Sequence, residues 1–135
     1  MAQIILISAM RCNFNKEIRM EKMNVKPATG KLGVLCVGLG AVTSTFMTGV
    51  LMARKGLAKP VGSMTQYDKM RVGRGENKKY LHYGEIVPLA NLNDIVFGAW
   101  DVYPANAYES AVNAEVLKEK DINPVKDELE KIVPM

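Results

Sequence analysis

The apolar positions of this chain fall into short blocks separated by polar, glycine-punctuated stretches. Lys31 to Val37 (KLGVLCV) is a run of strand formers with no polar residue after the first, the pattern of a strand buried on both faces of a parallel sheet. Gly38-Leu39-Gly40 ends it. From Ala41 to Lys55 the residues Val42, Phe46, Met47, Val50, Leu51 and Ala53 recur near helical spacing. Gly56 supplies a stop, and Arg54 and Lys55 just before it suit the negative end of a helix. The local prediction is strand, glycine turn, helix.

Pro60 to Thr65 (PVGSMT) then predicts a second strand, reached by the right-handed crossover that parallel strands use. Tyr67 to Gly84 is polar and basic with no clear period, and predicts a mobile loop with one helical turn near Tyr67 to Met70. Glu85 to Leu89 reads as a short strand, Asn91 to Asp94 as a turn, and Ile95 to Asp101 (IVFGAWD) as a stronger strand ending in a carboxylate. Pro104 suits the first turn of a helix running to about Lys120. Asn123-Pro124 repeats that start signal for a final helix to about Ile132. Strands and helices alternate, which is an α/β class.

The first residues stand apart. Ile4 to Ile7, Ala9 and Met10 form an apolar patch followed by Arg11, Lys16 and Arg19, the reverse of the order in a secretory signal. The patch is far shorter than the ~20 residues needed to span a bilayer. The expected organisation is an extension over residues 1–24, disordered or upstream of a start at Met20 or Met23, and one domain over 25–135. An added edge strand at Ile4 to Ile7 is the alternative.

Composition adds limits rather than identity. The 135 residues are 48% apolar and 24% charged, a globular composition and neither fibrous nor disordered. That length is nevertheless short for a complete doubly wound dinucleotide fold, which joins two βαβαβ halves. The net charge of +4 is unevenly spread: residues 1–80 carry +10 and residues 81–135 carry −6. The cations are mostly dispersed, and only Arg71, Arg74, Lys78 and Lys79 approach a cluster, so a solvated face is favoured over a nucleic-acid site. Two cysteines, Cys12 and Cys36, are too few for a disulfide scaffold, and a reducing cytoplasm is expected. With one histidine there is little from which to build a transition-metal site.

The glycine pair is the first candidate for chemistry. A strand-to-helix turn without side chains lets backbone N–H groups approach a phosphate at the positive end of the helix. The third position of the usual G-x-G-x-x-G pattern is here Thr43, which leaves both a dinucleotide turn and a merely tight turn open. The acidic residue expected about twenty positions on is not in place, because Asp68 falls later and reads as a solvated loop carboxylate. Asp101 closes a strong strand, where ligands collect in open parallel sheets, although a capping or turn carboxylate accounts for it equally. Trp100 reads as core and His82 as a lone loop histidine. Thr43, Ser44 and Thr45 have no histidine and carboxylate around them, so no Ser/His/Asp arrangement is available.

The stretches VGLGAVTSTFMTGV (Val37 to Val50) and VFGAWDVYPANAYESA (Val96 to Ala111), with KGLAKPVGSMTQ between them, resemble inositol-3-phosphate synthases, also called myo-inositol-1-phosphate synthases, above all the bacterial and archaeal forms. The resemblance covers about Val25 to Met135. It implies a Rossmann-type parallel sheet with flanking helices, incomplete here, as the amino-terminal part of the NAD-binding domain. The activity implied is isomerisation of glucose 6-phosphate to inositol 3-phosphate by oxidation, aldol closure and reduction with bound NAD, in a homotetramer whose second domain carries the catalytic lysines. Those lysines are expected beyond Met135, so no catalytic residue is assigned and the chain alone is expected to be inactive. Carried over by position, Gly38, Leu39, Gly40, Ala41, Val42 and Thr43 would form the turn over the NAD pyrophosphate, and Asp101 would hold the adenosine ribose. The competing expectation is a free-standing NAD-binding module without catalysis; a basic nucleic-acid binder is the least favoured reading, and no nucleic-acid, metal or membrane partner is expected.

Overall fold

The computed structural model describes Lys26 and residues 29–135, so the expectations for residues 1–24 lie outside the described residues. Strand β1 (Leu32–Val37) leads through the glycine turn into helix α1 (Ala41–Arg54), as its pattern predicts. The predicted stop is a Schellman closure. Gly56 has φ +68°, its N–H donates to the Ala53 carbonyl, and the Leu57 N–H donates to the Met52 carbonyl.

Beyond α1 the sequence pattern and the fold diverge. Pro60 to Thr65 is not a strand: local bonds from Val61 N–H to the Lys59 carbonyl and from Ser63 N–H to the Pro60 carbonyl curl it into a turn before the one-turn helix α2 (Met64–Tyr67). Tyr67 to Gly84 is not simply a loop. Strands β2 (Lys69–Val72) and β3 (Lys79–His82) form an antiparallel hairpin, with Gly73 and Gly75 at positive φ in its connection. Its four-residue strands are too short, and too exposed on both sides, to leave a visible alternation of polar and apolar residues. The predicted strand from Glu85 to Leu89 is absent too, its start being taken up by the short helix α3 (Tyr83–Ile86).

Strand β4 (Ile95–Trp100) follows a 3-10 turn at Leu92–Asp94, capped by the Asn91 side chain, which accepts from the Asn93 N–H. β4 pairs parallel to β1 in a continuous register from Leu32–Ile95 to Val37–Trp100. The chain end runs along the other edge of β4, where Met135 N–H donates to the Ala99 carbonyl. The helix expected from Pro104 starts later, as α4 (Ala107–Asn113), because Asn106 and Glu109 form a capping box that Pro104 cannot match. It also stops early. Glu115 at φ +54° breaks it, and α5 (Glu119–Ile122), a 3-10 turn through Pro124 and α6 (Lys126–Leu129) complete the chain.

One core joins these elements. Leu39, Met47, Leu51, Ala99, Ala107, Ala111, Ile122, Val125 and Leu129 are buried together between the sheet and the helices α1 and α4–α6. Phe46 meets Phe97 edge to face at 5.5 Å between centroids. Arg54 crosses from the end of α1 to donate to the Leu92 and Ile95 carbonyls, so it braces the entry to β4. Lys55 bonds the Pro124 carbonyl and pairs with Glu128.

The expectation of a strand buried on both faces is half right. Leu32, Val34 and Cys36 face the core, whereas Leu35 and Val37 are 54% and 75% exposed, and Val96 and Trp100 share their bare face. Trp100 is therefore not core, as its size and apolar neighbours suggest, but 58% exposed. The physical reason is that, among the described residues, every helix that packs on the β1–β4 sheet lies on one side of it.

Candidate functional site

The site sits where β1 and β4 end side by side and α1 begins. Gly38 leaves β1 at φ +90°, a conformation that an L side chain rarely adopts, and its N–H donates to the Trp100 carbonyl at 2.8 Å. Leu39 turns its side chain into the core, 3% exposed, and so anchors the turn from below. Gly40 then caps α1 with ordinary extended geometry, φ −89° and ψ −163°, and no side chain caps the helix.

That bare helix end is the electrostatic centre of the site. The first N–H groups of a helix have no intrahelical acceptor, and together with the aligned peptide dipoles they leave a partial positive charge there. In α1 the first turn, Ala41 to Thr43, contains no acidic residue. A Cβ built on Gly40 meets nothing within 4 Å, so neither backbone strain nor crowding by the protein itself calls for glycine at this position. The open space above Gly40 fits close approach by a phosphate group, and the donor set around it, backbone N–H groups only, fits an anion.

Asp101 stands immediately beyond β4, beside this turn. Its Oδ2 accepts from the Leu39 N–H at 2.5 Å and its Oδ1 from the Tyr103 N–H at 3.1 Å. The Leu39 bond first, then the Tyr103 bond, holds the carboxyl below its ordinary range, because both favour the charged form. Since a carboxylate offers about four acceptor positions, about two remain for further donors. The turn-carboxylate alternative thus describes a bond that is present, while the helix-capping alternative does not hold: Asn106 caps α4.

Thr43 replaces the third glycine of the usual pattern, and its hydroxyl donates to the Gly38 carbonyl at 2.8 Å. That proton is committed within the turn. The structure thus brings Gly38, Leu39, Gly40, Ala41, Val42, Thr43 and Asp101 together at one end of the sheet. Asp68 and His82 are exposed on the hairpin side of the chain and do not join them. The acid that the fold sets beside the glycine turn is Asp101: the hairpin and its flanking helices lie between α1 and β4, which lengthens the interval without altering which strand lies beside β1. Val42, Val102 and Tyr103 are highly exposed apolar residues around the same turn.

Among the described residues no group of three or more His, Cys, Asp or Glu side chains is gathered to hold a metal, and no helix is long and apolar enough to cross a membrane. Cys36 is a free thiol whose partial burial raises its pKa.

An NAD-binding family model described as myo-inositol-1-phosphate synthase matches residues 32–135, from the start of β1 through both motifs. The chain is 60% identical to inositol-3-phosphate synthase 1 of Bacteroides thetaiotaomicron over 115 residues, which is 84% of this chain and 26% of that protein. It is 34% identical to inositol-3-phosphate synthase 1 of rice over 117 residues, 78% of this chain and 23% of the rice protein. The crystal structure of inositol-3-phosphate synthase from Caenorhabditis elegans superimposes with a TM-score of 0.68 at 27% identity, covering 82% of this chain and 24% of the other. The chain therefore spans about a quarter of the length of the relatives it matches. Its parallel sheet, flanking helices and glycine turn are those of a Rossmann-type NAD-binding domain, and the chain belongs to the myo-inositol-1-phosphate synthase family.

Proposed function

We propose that this chain is the NAD-holding part of an inositol-3-phosphate synthase, an isomerase that converts glucose 6-phosphate to inositol 3-phosphate. The observation that carries the reading is the uncapped N-terminus of α1, open above Gly40, beside the carboxylate of Asp101. The N–H groups from Gly40 to Thr43 meet the pyrophosphate, Gly38 shapes the turn that presents them, and the free acceptor positions of Asp101 take the adenosine ribose hydroxyls. NAD, when bound, supplies a reversible hydride acceptor. The working domain covers residues 25–135, within a homotetrameric enzyme of the cytoplasm.

Asp101 also favours NAD over NADP, because a carboxylate at the ribose repels a 2′-phosphate. No lysine in this chain is given the work of stabilising the sugar intermediate. Calorimetric titration of the purified chain tests the reading: NAD binds and NADP binds at least about tenfold more weakly, a difference worth about 1.4 kcal/mol. No heat with NAD up to millimolar concentration sinks it. Glucose 6-phosphate stays unconverted by the chain alone, and inositol phosphate formed by the purified chain contradicts that division of labour.

A further inference from the structure

The peptide joining Gly38 to Leu39 is held at both ends by side chains from different elements. Its carbonyl accepts from the Thr43 hydroxyl on α1 at 2.8 Å, and its N–H donates to Asp101 Oδ2 beyond β4 at 2.5 Å. Carbonyl and N–H of a trans peptide point in opposite directions, so rotating this one plane breaks both bonds together. The plane needs holding. Gly38, at φ +90°, is the residue of the turn with the freest backbone, and neither the helix ladder of α1 nor the strand ladder of β1 includes this peptide.

We propose that Thr43 is a positioning residue, forming with Asp101 a two-ended clamp on the Gly38–Leu39 peptide that keeps the turn in its anion-receiving shape before any ligand arrives. The inference rests on the NAD reading above. Its energetic content is preorganisation: a turn already ordered does not spend binding free energy on ordering itself when the phosphates come. Thr43 does this through its hydroxyl rather than its shape. It takes the place of the usual third glycine without offering a proton to the phosphate.

The test compares Thr43→Val, which keeps the shape and removes the donor, with Thr43→Ser, which keeps the donor. NAD affinity is measured by calorimetry on the 135-residue chain and Leu39 amide exchange by NMR. Thr43→Val weakens NAD binding about five- to tenfold, the worth of one lost hydrogen bond, and speeds Leu39 exchange by a similar factor; Thr43→Ser stays within about twofold of wild type in both. Equal affinity and exchange in Thr43→Val overturn the clamp, as does a Thr43→Ser variant as impaired as the valine. Should Thr43→Val fail to fold, the wild-type chain still decides, because a Leu39 amide that exchanges at its unprotected rate excludes a held peptide. A wild-type chain that ignores NAD counts against the proposed function instead, and exchange at Leu39 then judges the clamp without ligand.

Discussion

Replacing Gly40 with alanine separates the needs of the fold from the needs of the site. The backbone there, φ −89° and ψ −163°, is open to any residue, and the new Cβ meets no atom within 4 Å. Two small terms oppose each other in stability. Alanine restricts the unfolded chain, which stabilises by about 0.4–1 kcal/mol; it is also a poorer helix N-cap than glycine, which costs a comparable amount. The net change is within about 0.5 kcal/mol, or roughly 2 °C in Tm for a domain of this size. Binding changes far more. A methyl group in the space above the turn keeps phosphate oxygens from the ~2.9 Å at which N–H groups bond them, and each hydrogen bond to a charged group is worth about 1.5–3 kcal/mol. NAD affinity therefore falls at least about tenfold.

Gly38→Ala is the contrasting variant. At φ +90° an alanine is strained by about 1–3 kcal/mol, so it lowers Tm even without ligand. Thermal melting by circular dichroism and calorimetric titration with NAD, run on both variants, give the four numbers required. A Gly40→Ala chain that binds NAD as tightly as wild type refutes the placement of the phosphates, and a Gly38→Ala chain as stable as wild type refutes the assignment of strain.

Three further outcomes are expected. Asp101 has a depressed pKa in the folded chain, so its contribution to stability is present above the ordinary carboxylate range and lost only as pH falls through the depressed value; a 13C titration of its carboxyl with a midpoint at or above that range contradicts the Leu39 and Tyr103 bonds. Met47→Ala, at a fully buried position on α1, destabilises by about 2–5 kcal/mol in denaturant unfolding, and a loss below 1 kcal/mol shows that the core does not close around it. Leu35→Lys, on the bare sheet face, costs less than about 0.5 kcal/mol in denaturant unfolding, because the side chain it replaces is 54% exposed; a loss above about 1 kcal/mol shows that this face is covered.

The central unit of the fold is legible in the chain itself. An unbroken apolar run, two glycines, a helical period and a glycine stop predict β1, the turn and α1 to within a residue, because each feature acts through neighbours in sequence. Ile95 to Trp100 is legible for the same reason, whereas the start of α4 is set by the Asn106–Glu109 capping box and not by the proline read as its first turn. The hairpin is not. Lys69–Val72 and Lys79–His82 are held by pairing with each other, and nothing within either segment announces its partner. Pro60 to Thr65 errs in the opposite direction: a strand-like composition there is overridden by turn bonds of two and three residues' span.

At the site the division is sharper. Local chemistry names Gly38, Gly40 and Asp101 as candidates but leaves each with an ordinary structural alternative. Only the parallel pairing of β1 with β4 brings residues 62 apart in the chain to 2.5 Å and sets Asp101 beside the glycine turn despite the long interval. The same pairing explains why a fixed spacing rule finds no acid: inserted elements change distance along the chain without changing which strand lies beside which. The single covered face of the sheet also belongs to the tertiary level, since hydropathy says only that β1 is apolar. Sequence carries what neighbouring residues settle between themselves, whereas burial, pairing and the clamp on the Gly38–Leu39 peptide depend on elements that meet only when the chain folds.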